Sequence, residues 1–256
     1  MAASTRIQKG EKIPGKRTRN IFDPLSPDPY KLSRSKIENF LKCPRCFYLD
    51  RRLGINQPGS IPFTLNLAVD HLLKEEFDLY RKEKKPHPLM LQAGLKAIPF
   101  AHPDLDIWRE NFKGVQVHHK PTQLLVTGAI DDLWIEPNGN VIVVDYKATS
   151  KDGQITLDDE WKQAYKNQME IYQWLLRQNG LSVSTTGYFL FANARKDIGR
   201  FDGNLNFRLQ LLPYVGNSDW VEPTLFKIRK CLDSDLVPGH KDGCEWCAYR
   251  VGAKGI

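Results

Sequence analysis

No run of apolar residues in this chain approaches the ~18 needed to cross a bilayer. Its first residues also lack the apolar stretch of a secretory signal. The expected reading is a chain without a membrane span, and the default address is cytoplasmic. No internal repeat is visible, which removes solenoids and propellers. Cysteine is scarce, with 5 in 256 residues, and in a cytoplasmic chain that argues against a disulfide framework. Charge of one sign is thinner than the net +7 implies. Residues 1–20 hold Arg6, Lys9, Lys12, Lys16, Arg17 and Arg19 against Glu11 alone, so the other 236 residues carry only +2. Residues 1–29 contain Gly, Lys, Pro and Ser without apolar periodicity, which predicts a disordered basic arm that either solubilises the chain or touches nucleic acid.

What is present is an ordinary globular composition, 41% apolar, and enough chain for one sizeable domain from residue 30 to residue 256. Ser35 and Glu38 have the spacing of a capping box, and Ile37, Phe40 and Leu41 follow at helical intervals. A second helix is expected over 65–82, with Val69, Leu72, Leu73, Phe77 and Tyr80 on one side and His71 nearly opposite. Periodicity alone makes His71 a solvated surface residue. Residues 84–120 read as a loop-rich connection with one short helix near 107–112, and no chemistry emerges from them. A strong helix is expected over 158–178, closed by Asn179-Gly180, with Trp161, Ala164, Tyr165, Ile171, Tyr172 and Leu175 as its apolar stripe. Strands follow over 186–192 and 205–212, then a helix over 219–232. This order favours a mixed α/β fold.

The chemistry concentrates between Gly128 and Thr149. Pro137-Asn138-Gly139-Asn140 supplies a tight turn between two strands, because Asn-Gly tolerates positive φ. Val141 to Val144 is unbroken and β-branched, as in a strand covered on both faces, yet the strand continues into Asp145-Tyr146-Lys147. Asp145 and Lys147 share a strand face. Pairing Glu136 with Val141 puts Asp132 opposite Asp145, whereas a three-residue turn pairs Glu136 with Asn140 and puts Asp131 there. Paired carboxylates beside an ammonium are what metal-dependent phosphodiester hydrolysis requires, since the carboxylates hold Mg or Mn and the ammonium positions the water. Gln168 interrupts the apolar stripe of its helix, with Tyr172 one turn further on, so both face one neighbour.

Gly-x-x-Asp at Gly128–Asp131, a strand ending Asp145-Tyr146-Lys147 and Gln168-x-x-x-Tyr172 on a helix together resemble the PD-(D/E)xK nuclease superfamily, in particular its RecB-like branch. The resemblance implies a restriction-endonuclease-like central mixed sheet flanked by helices. It also implies an active site of Asp131, Asp145, Lys147 and Gln168, with Tyr172 beside it nearer the substrate. An upstream helical histidine binds metal in many members, and His71 occupies the matching place. The implied substrate is DNA, single-stranded or with a free end, cut by an exonuclease or end-processing enzyme of repair, recombination or defence. A catalytically silent nucleic-acid-binding or assembly subunit with a structural zinc site is the competing reading.

Two Cys-x-x-Cys pairs, Cys43/Cys46 and Cys244/Cys247, form a four-thiolate metal site if the chain ends meet. Spacing does not choose between zinc and an iron-sulfur cluster. Cys43-Pro44 followed by Phe47-Tyr48-Leu49, paired with late cysteines, resembles the cluster-bearing nucleases, including the CRISPR-associated exonuclease family and a helicase-nuclease subunit. That resemblance implies a 4Fe-4S cluster and a helicase or CRISPR-type protein partner. The two-and-two split departs from the usual one early and three late cysteines. Cys231, on a helix stripe near Ile228, reads as a small apolar residue.

Overall fold

The computed structural model describes residues 16–57 and 63–253. Its elements are, in order, β1 (Tyr30–Ser33), α1 (Arg34–Lys42), α2 (Pro44–Arg51), α3 (Thr64–Glu83), α4 (Pro88–Gln92), β2 (Ile98–Pro99), α5 (Leu105–Arg109) and β3 (Val115–His119), followed by β4 (Leu124–Gly128), β5 (Asp132–Ile135), β6 (Val141–Thr149), α6 (Gln163–Gln178), β7 (Thr186–Ala194), β8 (Phe207–Val215), α7 (Val221–Asp233) and α8 (Glu245–Ala253). Two mixed sheets result, one ordered β2-β5-β6-β7-β8 and the other β1-β4-β3. This is the mixed α/β architecture expected from the sequence.

The apolar alternation of β6 explains why it lies at the centre. Val141 and Val143 pack with Ile171 and Leu175 of α6, while Ile142 and Val144 pack with Leu73 and Phe77 of α3. Both faces of the strand are dry, so its four consecutive β-branched residues are all buried. β6 pairs antiparallel with β5 and parallel with β7. The parallel pairing demands a crossover, and α6 supplies it. Leu32, Leu124 and Val126 of the smaller sheet join the core around α6.

A buried acid sets the roll of α6. Glu170 accepts hydrogen bonds from Tyr214 Oη at 2.6 Å, Asn217 N at 3.1 Å and Trp220 Nε1 at 2.5 Å. Three donors compensate the desolvation of one carboxylate and tie the helix to β8 and the start of α7.

Several expectations are corrected. The Ser35/Glu38 capping box does not form: α1 starts at Arg34 with Ser33 before it, and Glu38 turns inward to accept a bond from Asn167 Nδ2 at 3.0 Å. Trp161 lies in a short 3-10 turn before α6 and is 60% exposed, not part of the stripe. Leu72 is exposed on α3. Residues 84–120 hold α4, β2 and β3 in addition to the one short helix expected near 107–112, which is α5. Of the arm assigned to residues 1–29, residues 1–15, and with them Arg6, Lys9, Glu11 and Lys12, lie outside the described residues. Residues 16–29 are packed in part: Phe22 is buried and Arg17 pairs with Asp50 at 3.1 Å.

Candidate active site and four-cysteine centre

The register of the β5–β6 hairpin decides which acid meets Asp145. Ile135 pairs with Val141 and Asp132 with Val144. Glu136 N donates to Asn140 O at 3.0 Å and Gly139 N to Glu136 O at 2.9 Å, so the loop is the three residues Pro137, Asn138 and Gly139. Gly139 has φ +86°, a left-handed conformation that glycine adopts without penalty. One step beyond the ladder, Asp131 therefore stands opposite Asp145, on the α6 side of the sheet. Asp131 Oδ2 accepts from Tyr146 N at 2.9 Å, which holds it against the end of β6.

Asp132 points to the other face and does something different. It is fully buried and paired with Arg81 and with Arg109 Nη2 at 2.9 Å, and it accepts from Tyr146 Oη at 2.8 Å and Trp134 Nε1 at 3.3 Å. Arg109 Nε also donates to the Asp131 carbonyl at 2.9 Å. The buried ion cluster thus fixes the backbone that carries Asp131. Neither arginine was singled out by the sequence pattern, because their partners are distant in the chain.

Asp145 is wholly buried. Gln168 Nε2 donates to its Oδ1 at 2.7 Å and to Tyr172 Oη at 3.0 Å, while Lys147 Nζ forms a close ion pair with Oδ2. Oδ2 makes no hydrogen bond, so the ion pair alone compensates it. Desolvation pushes the Asp145 carboxyl up to about 7, with Lys147 opposing and Asp131 reinforcing the shift. Burial acts against the Lys147 ammonium, but Asp145 and Asp131 outweigh it and hold its pKa above the ordinary value. Lys147 Nζ also lies 4.7 Å from the centre of the Tyr165 ring.

The glycine of Gly-x-x-Asp has a steric reason. A Cβ on Gly128 would lie 2.7 Å from Tyr172 Cε1 and 3.0 Å from Leu175 Cδ1. Gly128 lets α6 approach β4 closely enough for Gln168 to reach Asp145.

His71 is exposed on α3, and no contact joins it to these carboxylates. The residue before it faces them instead. Lys74 Nζ pairs with Asp70 Oδ2 at 2.7 Å and lies 3.5 Å from Asp131 Oδ1. Desolvation and then Asp131 raise the pKa of Asp70, against the pull of Lys74. A cleft of about 120 Å³ between α3 and the end of β6 is lined by Asp70, Tyr146, Lys147 and Tyr165 among others. The available signal was position: Asp70 is three residues before buried Leu73 and hence on the core-facing side, whereas His71 is turned about 100° away.

The donor set suits a hard divalent cation. Three carboxylates, Asp131, Asp145 and Asp70, stand against two ammonium groups, Lys147 and Lys74, and the remaining negative charge is of the kind such an ion neutralises.

At the other end of α1, Cys43, Cys46, Cys244 and Cys247 converge, with their sulfurs all within 4.8 Å of one another. They are free thiols, close enough together that they could hold one metal ion between the α1–α2 junction and α8. Burial alone would raise the Cys43 thiol, but backbone bonds from Lys241 and Cys46 and the neighbouring thiols bring it to about 7. Cys231 stands apart, packed against the core, its thiol pushed up to about 11 by burial.

A family profile described as the PD-(D/E)XK nuclease superfamily matches residues 31–251, and the chain belongs to that superfamily. Its members are nucleases that use divalent metals, which implies a nucleic-acid substrate. Among solved structures, the chain aligns with one described as "Crystal structure of SSO0001" at 16% identity, covering 86% of this chain and 84% of that one with a TM-score of 0.37. No curated protein matches. Among the described residues no helix is long and apolar enough to cross a membrane.

Proposed function

We propose that this protein is a divalent-metal-dependent deoxyribonuclease of the RecB-like branch, acting at DNA ends or on single strands. The observation that carries this reading is the facing of Asp131 and Asp145, with Lys147 on the same strand face and Gln168 bonded to Asp145. The branch assignment rests on Gly128-x-x-Asp131, Asp145-Tyr146-Lys147 and Gln168-x-x-x-Tyr172 taken together.

Asp131 and Asp145 would hold magnesium or manganese, with Asp70 the third carboxylate at the site in place of the expected His71. When bound, the ion supplies charge stabilisation for the attacking and leaving oxygens of the phosphodiester. Gln168 turns Asp145 by holding Oδ1, which leaves Oδ2 toward Lys147. Lys147, held protonated, orients the nucleophilic water and the scissile phosphate by donating hydrogen bonds, and does not act as the base. Tyr172 steadies the Gln168 amide.

The test is cleavage of single-stranded, linear duplex and circular DNA, and of RNA, in magnesium, manganese or chelator. Lys147→Ala is expected to abolish cleavage while DNA binding survives. Unchanged cleavage in that variant rejects the mechanism, preferential cutting of RNA rejects the substrate, and circular DNA cut as fast as linear rejects action at ends.

A further inference from the structure

The four-cysteine centre carries more than its existence, because the separations of its sulfurs depend on what they ligate. Cys43 Sγ lies 3.8 Å from Cys247 Sγ, Cys46 Sγ lies 3.6 Å from Cys247 Sγ, and Cys46 Sγ lies 3.7 Å from Cys244 Sγ. Four thiolates arranged tetrahedrally about one ion at ~2.3 Å have mutual separations of about 3.8 Å, the edge of that tetrahedron. A cubane instead places a different iron behind each thiolate, and its iron-iron edges spread the ligand sulfurs to about 6 Å. A two-iron cluster would split the sulfurs into two close pairs, one on each iron. Here the close separations run without a break from Cys43 through Cys247 and Cys46 to Cys244, and no sulfur is farther than 4.8 Å from another.

We infer that Cys43, Cys46, Cys244 and Cys247 enclose a single tetrahedral zinc ion, and not the 4Fe-4S cluster that the resemblance implies. All four positions are filled by protein thiolates, three of them buried, so the site is closed to substrate and its role is structural.

The part of the fold that depends on the ion is α8. Among its nine residues Cys247 is the only buried one, and the cysteines form a small cluster of their own, separate from both cores. Nine residues are too few for a helix to persist in water alone, where about 12–15 are marginal. Ligation is therefore what seats α8 on the α1–α2 junction. This inference is independent of the carboxylate site and does not require the protein to be a nuclease.

The full chain, purified both aerobically and anaerobically, is analysed for zinc, iron and acid-labile sulfide, and its visible spectrum is recorded. The expected result is one zinc per chain, no sulfide and no visible absorption in either preparation. Cobalt taken up in place of zinc is expected to give the intense bands of a tetrahedral tetrathiolate, and those bands are lost in Cys244→Ser. Zinc removal by chelator is expected to expose the segment after residue 240 to protease while the sheet core stays protected. Iron with stoichiometric sulfide in either preparation overturns the inference. So does a folded chain containing no stoichiometric metal, or cobalt bands that survive Cys244→Ser.

Discussion

Asp131 and Asp132 are neighbours in the chain, yet they project to opposite faces of the hairpin and perform unrelated tasks. Asp131 faces Asp145 at the cleft, and Asp132 is sealed behind it with Arg81, Arg109 and the Tyr146 hydroxyl. Asp131→Ala is expected to remove cleavage with little change in stability, since its side chain is partly solvated. Asp132→Ala leaves Arg81 and Arg109 with Asp78 as their remaining carboxylate partner and should cost about 3 kcal/mol. Denaturant melts beside cleavage assays separate the two outcomes, and equal stability losses would contradict this division of labour.

Gln168 is the single donor to Asp145 Oδ1 among the described residues. Gln168→Ala leaves that buried oxygen unbonded and should cost about 1–3 kcal/mol. Gln168→Glu places a second carboxylate at the same point and should be worse in both stability and cleavage. A Glu variant that matches wild type in magnesium-dependent turnover would argue against the proposed role.

Gly128→Ala drives a methyl into the Tyr172 ring. Overpacking of this kind should cost about 1–3 kcal/mol and lower cleavage by moving Gln168. Gly128→Ala combined with Tyr172→Ala should lose less stability than the sum of the two single variants, because the second change removes the obstacle. A simply additive pair would show that the two residues do not interact.

His119 provides the pH test. It is buried at the end of β3, its Nδ1 is 2.8 Å from Thr122 Oγ1, and desolvation lowers its pKa below the ordinary 6.5 despite the opposing pull of Glu222. A group with a lowered folded-state pKa binds fewer protons folded than unfolded, so its contribution to stability is lost as pH falls below about 6.5. Denaturation midpoints should fall between pH 7 and 5 at about the range typical of histidine titration, and His119→Gln should flatten that part of the curve. An unchanged slope in the variant would assign the acid sensitivity elsewhere.

Local pattern was enough to place β6, α3, α6, β7, β8 and α7, because each combines a clear period with strong punctuation. The four β-branched residues of β6 require cover on two faces, and Asn179-Gly180 ends α6 where expected, with Gly180 at φ +84°. Pattern failed for β2, β3 and the short helix α4, although a short helix is expected close to α5. These are only two to five residues long, and the two strands are held by pairing with β5 and β4. The capping box failed for a similar reason, since Asn167 offered Glu38 a partner that local spacing does not reveal.

The sequence by itself determined the chemical inventory: two candidate acids on the first strand, Asp145 and Lys147 on one face of the second, Gln168 and Tyr172 on one side of a helix, and two cysteine pairs at ligand spacing. Alternation and helical periodicity are short-range geometry, and they suffice for such statements. Only the tertiary structure chose Asp131 over Asp132 to face Asp145, because one residue of turn length reverses the faces and both lengths suit Asn-Gly. It alone turned His71 to solvent and Asp70 to the cleft, since the packing of Leu73 and Phe77 fixes the roll of α3. It alone brought the cysteine pairs, some 200 residues apart, to within 4.8 Å of one another.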